Sequence, residues 1–283
     1  MIIQTYNITR DFLKKLNKHN VGAFASQAAF FIMLSVFPFI SLLLNLVKYT
    51  PITKDFIFTN INKFIPEIMH PLTNTIIDEM YANTSSTAIS LTVILGLWSA
   101  GKGVLAIIYG LDSVYEVEEK RNYFVIRIIS ALYTLLFIVA IIICLGLMVF
   151  GNTIYRLSKE HSPIIYDLLG IFINRKEILT FLVLILFFLI VYKVIPQKNY
   201  SMLTLLPGAC FSSIGWVSFS FFFSLYIKYS DNYSYTYGSL ATIIISMMWI
   251  YICMYILFIG AEINIYFRDT FSSFFAKIFK RHH

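Results

Sequence analysis

The chain is predicted to be an all-α, polytopic integral membrane protein with about six transmembrane helices, and three observations predict it. Of its 283 residues, 58% are hydrophobic and only 13% are charged, whereas a soluble domain covers its surface with roughly 25% charged residues. The apolar residues gather in evenly spaced runs close to the roughly 20 residues that a helix needs to span a bilayer. Strands of about ten alternating residues, the mark of a membrane barrel, are missing. A backbone in lipid must then satisfy its own hydrogen bonds as helix.

The first span is expected over residues 22–47 and the second over 88–110. The third is expected over 128–155, and the fourth over 178–195 with Lys193 snorkelling from its end. The fifth is placed at 201–227 and the sixth at 239–267. These make one membrane domain over 22–267, preceded by an amphipathic segment at 1–21 and followed by a basic tail at 268–283. The first apolar run is too long for a signal-peptide core and lacks a small-x-small cleavage site, so it is expected to be retained. Nothing is assigned to His282 and His283.

Lys and Arg set the expected orientation. With both termini inside, the inner segments hold Arg10, Lys14, Lys15 and Lys18, then Lys120, Arg121 and Arg127, then Lys193 and Lys198, and finally Arg268, Lys277, Lys280 and Arg281. The outer loops are longer and hold fewer, although Arg156, Lys159, Arg175 and Lys176 count against the assignment. The bias places both ends in the cytoplasm. A net charge of +7 fits this bias and anionic headgroups better than nucleic acid.

Between the first two spans, Ile57, Ile61, Phe64, Ile68, Leu72, Ile76 and Met80 recur at helical spacing, interrupted near Pro66 and Pro71. They predict short amphipathic extracytoplasmic helices that cap the bundle or lie on the membrane. Tyr226, Tyr229, Tyr233, Tyr235 and Tyr237 read as an interfacial aromatic belt.

Polar side chains in hydrocarbon need a reason. Gln27, Lys102 and Glu262 stand about 8, 12 and 8 Å from the cytoplasmic ends of their expected spans. Pro207 and Gly208 fall at a similar level, where Pro frees a carbonyl and Gly admits another backbone. The depths predict that Lys102 and Glu262 pair, with Gln27 or Asn264 completing their hydrogen bonds. The same residues could line a polar cavity or could simply hold helices together.

Signals for catalysis are weak. Gly101-Lys102-Gly103 lacks phosphate-loop spacing and sits inside an apolar helix. His19, His70 and His161 are scattered, and no metalloprotease or nucleophile-elbow motif is present. Cys144, Cys210 and Cys253 lie in apolar runs and read as buried small hydrophobes. Glu116, Glu118 and Glu119 before Lys120-Arg121 read as a solvated helix extension with local ion pairs. No enzyme activity, cofactor or metal is expected.

Five blocks carry a family resemblance: AAFFIMLSVFPF from Ala28, LWSAGKGVLAIIYGLDSVYEVEEKR from Leu97, LLPGA from Leu205, YGSLA from Tyr237 and GAEIN from Gly260. In this order the chain resembles the YihY/BrkB-like membrane family, which carries an old ribonuclease BN label and a second one linking it to virulence. The resemblance implies six helices in a bacterial inner membrane and supplies no catalytic residue. Trp98, Lys102, Pro207, Gly208, Gly260, Glu262 and Asn264 lie within the matching blocks.

The function expected is a transporter or lipid translocase with a cytoplasm-facing polar cavity built from Gln27, Trp98, Lys102, Pro207, Gly208, Glu262 and Asn264. Membrane lipids, or a small amphipathic solute, are the expected partners, with no nucleic acid; self-association into a homo-oligomer is left open. The alternative is a non-transporting envelope scaffold or assembly partner. Ribonuclease activity rests on the family label alone.

Overall fold

The computed structural model describes residues 2–47, 86–139, 176–198, 200–229 and 233–268, together with Asn74 and Asp78. Among these residues regular structure is helical throughout. In chain order the helices are α1 (Ile2–Lys18), α2 (Val21–Val47), α3 (Ser86–Val114), α4 (Tyr123–Val139), α5 (Lys176–Val194), α6 (Met202–Tyr229) and α7 (Tyr233–Tyr266).

Three of them are long and apolar enough to cross a membrane by themselves: α3 over Ile94–Val114, α6, and α7 over Leu240–Tyr266. A fourth span is available if α1 and α2, bent by 50° at their junction, act as one. The described parts of α4 and α5 are apolar but shorter. Six complete spans are therefore not established, and the expected third span is described only as far as Val139. The predicted extracytoplasmic helices, Cys144 and the basic tail beyond Arg268 fall outside the described residues.

Each helix packs chiefly on its neighbours in a connected series, with α3 against α2, α2 against α7, α7 against α6 and α6 against α5. Two antiparallel seams of small residues make these contacts close. Along α3, a Cβ on Gly96 would collide with Pro38, one on Gly103 would lie 3.0 Å from Ile32, and one on Gly110 would press into Phe24 and Phe258. The spacing of seven between these glycines keeps them on one face of a supercoiled pair, and small residues let membrane helices approach. Gly208 and Gly215 on α6 repeat the device against α7, facing Gly260 with Asn264 and Ile256 respectively. The buried core lies between the seams, at Phe188, Tyr192, Leu257 and Phe258. Outward faces carry Ile128, Leu132 and Leu136 on α4 and Phe221 and Phe222 on α6, as a lipid-facing surface requires.

The helix ends nearest α1 are set by two left-handed residues. Asn20 has φ 52°; its amide bonds Asn17 O while its carbonyl accepts from Ala23 and Phe24. It thereby ends α1 and starts α2, and Asn tolerates this conformation better than most residues. Glu116 has φ 49° and closes a Schellman motif, with Val117 N bonding Asp112 O at 2.9 Å and Glu116 N bonding Ser113 O at 3.2 Å. The second span thus runs four residues beyond its expected end at 110 and stops short of the acidic run.

A candidate polar site at the α1 end of the bundle

His19 follows the last turn of α1, and the turn at Asn20 aims its ring into the bundle. Its Nδ1 lies 2.8 Å from Glu262 Oε2 on α7, and its Nε2 lies 3.5 Å from Glu116 Oε1 without hydrogen-bond geometry. His19 is buried and Glu262 is 0% exposed. Both ring nitrogens thus face carboxylate oxygens, but only Nδ1 is in hydrogen-bond contact. Ser113 Oγ donates to the His19 carbonyl at 3.1 Å, and Lys18 reaches Glu116 at 3.3 Å. Glu262 Oε1 remains buried without a partner.

Helix α1 is held over this cluster by aromatic contacts. Phe12 meets Tyr266 edge to face at 5.5 Å, and Lys15 Nζ stands 5.2 Å from the Tyr266 ring centre. Tyr6, Ile8 and Leu13 remain exposed beside Arg10 and Lys14, the composition of a helix lying in a membrane interface.

Farther along the α6–α7 seam, Asn264 Oδ1 accepts the Gly208 amide at 2.7 Å. Tyr192 of α5 donates to Leu257 O at 2.7 Å and lies 2.7 Å from Ser212 Oγ, tying three helices together.

In the loop after α3, Arg121 grips Glu119 through Nη2 at 2.6 Å and Nε at 2.9 Å. These bonds hold the Glu119 carboxyl at about 2. The acidic run therefore does form local ion pairs, but from a loop and not from a helix extension. Because the folded value is lowered, this pair stabilises the protein above the unfolded carboxylate value of 4.5 and the effect is lost as pH falls toward about 2. Arg121→Gln is expected to lower the thermal midpoint at neutral pH, and the gap from the parent protein should close across that interval. A gap that does not change with pH would show that the pair adds nothing electrostatic.

The expected site residues do not come together as one cavity. Lys102 does not reach Glu262: its ammonium lies 3.9 Å from the Trp98 ring centre and 5.0 Å from that of Phe31. The levels differ: α3 runs on to Val114, which leaves Lys102 about 18 Å from its end, whereas Glu262 stands about 6 Å from the end of α7 and takes its partner from His19. Gln27 is exposed on the outside of α2, so it completes no buried hydrogen bond. Pro207, Gly208 and Asn264 belong to the α6–α7 seam, and Trp98 is half exposed.

The space between the helices is instead apolar. A cavity of about 360 Å³ opens between α2, α3, α4, α5, α6 and α7, bounded by Val36, Ala100, Phe137, Val191, Trp249 and Cys253 among others. Its polar lining is sparse, from Ser35, Tyr133 and Thr134. None of the seven expected site residues lines it.

His19 was passed over because a lone histidine before the first span gives no motif. Placing it at the same bundle end as GAEIN, as the expected topology does, was the signal that could have found it.

The Virulence factor BrkB family matches residues 12–274, nearly the whole chain. The chain belongs to that family. Among this BrkB protein's relatives, the ribonuclease-like protein YfkH of Bacillus subtilis is 33% identical over 257 residues, covering 89% of this chain and 94% of YfkH. The UPF0761 membrane protein VP0125 of Vibrio parahaemolyticus is 27% identical, covering 89% of this chain and 79% of its own. A UPF0761 membrane protein of Vibrio cholerae is 25% identical, covering 91% and 86% respectively. No solved structure matches the chain. The family, these relatives and the apolar helices place the protein in a membrane.

Proposed function

We propose that this BrkB-family protein moves an amphipathic, lipid-like molecule across a bacterial inner membrane and is not an enzyme. The observation that carries the reading is the apolar cavity of about 360 Å³ between six helices. Ligand pockets commonly run about 300–1,000 Å³, with apolar walls and a few polar groups. An acyl chain suits such walls better than a bare ion or a sugar. The polar cluster at His19 and Glu262 then marks the headgroup side of the path, cytoplasmic in the orientation that the basic residues favour.

The test is fluorescent-lipid transfer in proteoliposomes, read by quenching of the outer leaflet. Purified protein should accelerate transfer over protein-free vesicles, and Ala100→Phe, which fills the cavity from α3, should slow it about tenfold. Transfer no faster than in empty vesicles would overturn the reading. A scaffold remains the second reading, favoured by the two small-residue seams and by Tyr192 tying three helices; it predicts an idle protein in this assay.

A further inference from the structure

Two cations converge on Trp98 with no carboxylate against them among the described residues. Arg127, one turn into α4, has its guanidinium carbon 5.5 Å from the indole centre, and Lys102 of α3 has its ammonium 3.9 Å from it. Arg127 Nη2 donates to Trp98 O at 3.1 Å, but Nη1 is buried with no acceptor. Among the described residues neither cation has a carboxylate partner. The groove that holds the guanidinium has a volume of about 340 Å³, walled by Leu97, Trp98, Phe124, Ile128 and Ala131. Gly101 lines it beside Arg127 Nη1 and Ser130 Oγ, each 4.0 Å from where its Cβ would be.

Arg127 stands about 6 Å along α4 from its start at Tyr123, and the Trp98 carbonyl it reaches stands about 24 Å back from the end of α3 at Val114. A charge placed in hydrocarbon without a partner is disfavoured, most at the bilayer centre and less toward the interface. None of the described residues supplies an anion that would relieve these two charges. The surroundings name the chemistry of one that would. A guanidinium fork with a free N–H fits a phosphate oxygen, the groove walls fit acyl methylenes, and an indole is at home at the interface. Basic pockets between membrane helices take acidic lipid headgroups for these reasons. We propose that the groove walled by Trp98 and Arg127, with Lys102 against the same indole, binds the phosphate of an anionic phospholipid. The proposal does not depend on the translocation reading: a resident lipid would sit here in a scaffold as well.

The test titrates the purified full chain in detergent with phosphatidylglycerol, phosphatidylcholine or inorganic phosphate and reads the thermal midpoint. Phosphatidylglycerol should raise it at concentrations about tenfold below those needed of phosphatidylcholine. Arg127→Gln should raise the required concentration about tenfold, Lys102→Met by less, and Arg127→Lys should retain part of the response, since charge survives and the planar fork does not. Equal responses to the two lipids, or an unchanged response in Arg127→Gln, would overturn the proposal. A shift reproduced by inorganic phosphate at the same concentration would overturn the lipid source, leaving a free-anion site. Should Arg127→Gln not fold, spin-labelled phosphatidylglycerol must be immobilised on the parent protein in excess of spin-labelled phosphatidylcholine; equal fractions would again overturn it.

Discussion

Replacing His19 with alanine is expected to destabilise the protein by about 3–5 kcal/mol, the range for removing one partner of a buried ion pair. His19→Ala with Glu262→Leu should recover much of that loss. The geometry gives the reason. Glu262 is fully buried, its Oε1 has no partner, and His19 at 2.8 Å is its only hydrogen-bonding neighbour among the described residues. Taking away the imidazole strands the carboxylate, whereas taking away both leaves an apolar contact. Magnitude separates this from the bland reading: a neutral hydrogen bond between membrane helices averages about 0.6 kcal/mol, and a pair of that kind would give small, additive losses. The check is a double-mutant cycle on thermal midpoints in detergent. Additivity of the two single substitutions would show that the pair contributes no coupling. Because α1 also rests on α7 through Phe12 and Tyr266, loss of the pair should make α1 the first segment to become accessible to protease.

The second large effect is expected at the α6–α7 seam. A methyl group on Gly208 would overlap the Gly260 carbonyl and lie 2.5 Å from the Asn264 amide. One on Gly260 would overlap Ser212 and lie 2.7 Å from Gly208 O. Backbone stands on both sides of the contact, so no side chain can swing away and the helices themselves must part. Overpacking usually costs about 1–3 kcal/mol. Gly208→Ala should lie at or above the top of that range, because separating the helices also strains the Asn264 bond to the Gly208 amide, 2.7 Å long. Gly22→Ala is the control. A Cβ there would meet Tyr251 Oη at an ordinary 3.7 Å, so the change should be neutral or gain up to about 1 kcal/mol from helix propensity. The measurement is the yield and thermal midpoint of monodisperse protein; equal values for both variants would show that the seam is compliant.

Local pattern made much of the architecture legible. Helices α2, α3, α5, α6 and α7 begin and end within a few residues of the apolar runs that announce them, because span length is set by the bilayer and not by neighbouring chain. The end of α3 was misplaced for an equally local reason. The usual stop signal is a glycine in the left-handed position, and here Glu116 occupies it, held by a Schellman motif and by Lys18 from another helix. Ion pairing in the acidic run was visible from the neighbouring Lys120 and Arg121; that it belongs to a loop was not.

The candidate site was less legible. Glu262, Asn264 and Gly208 could be singled out because a polar group or a paired Pro-Gly in an apolar run is conspicuous, and all three prove buried. Which groups they would meet could not be derived, since depth along a helix is a function of sequence and rotation about its axis is fixed only by packing. The expected levels of Lys102 and Glu262 depended on where α3 ends, and with α3 running to Val114 the two meet different neighbours, Trp98 for one and His19 for the other. By itself, the sequence determined that this is a helical membrane protein, where most of its spans lie and which polar residues are out of place in lipid, because hydrocarbon imposes those constraints on every helix separately. Only the tertiary structure decided that His19 closes on Glu262, that the space between the helices is apolar, and that Arg127 joins Lys102 at Trp98, because each depends on how one helix is turned against another.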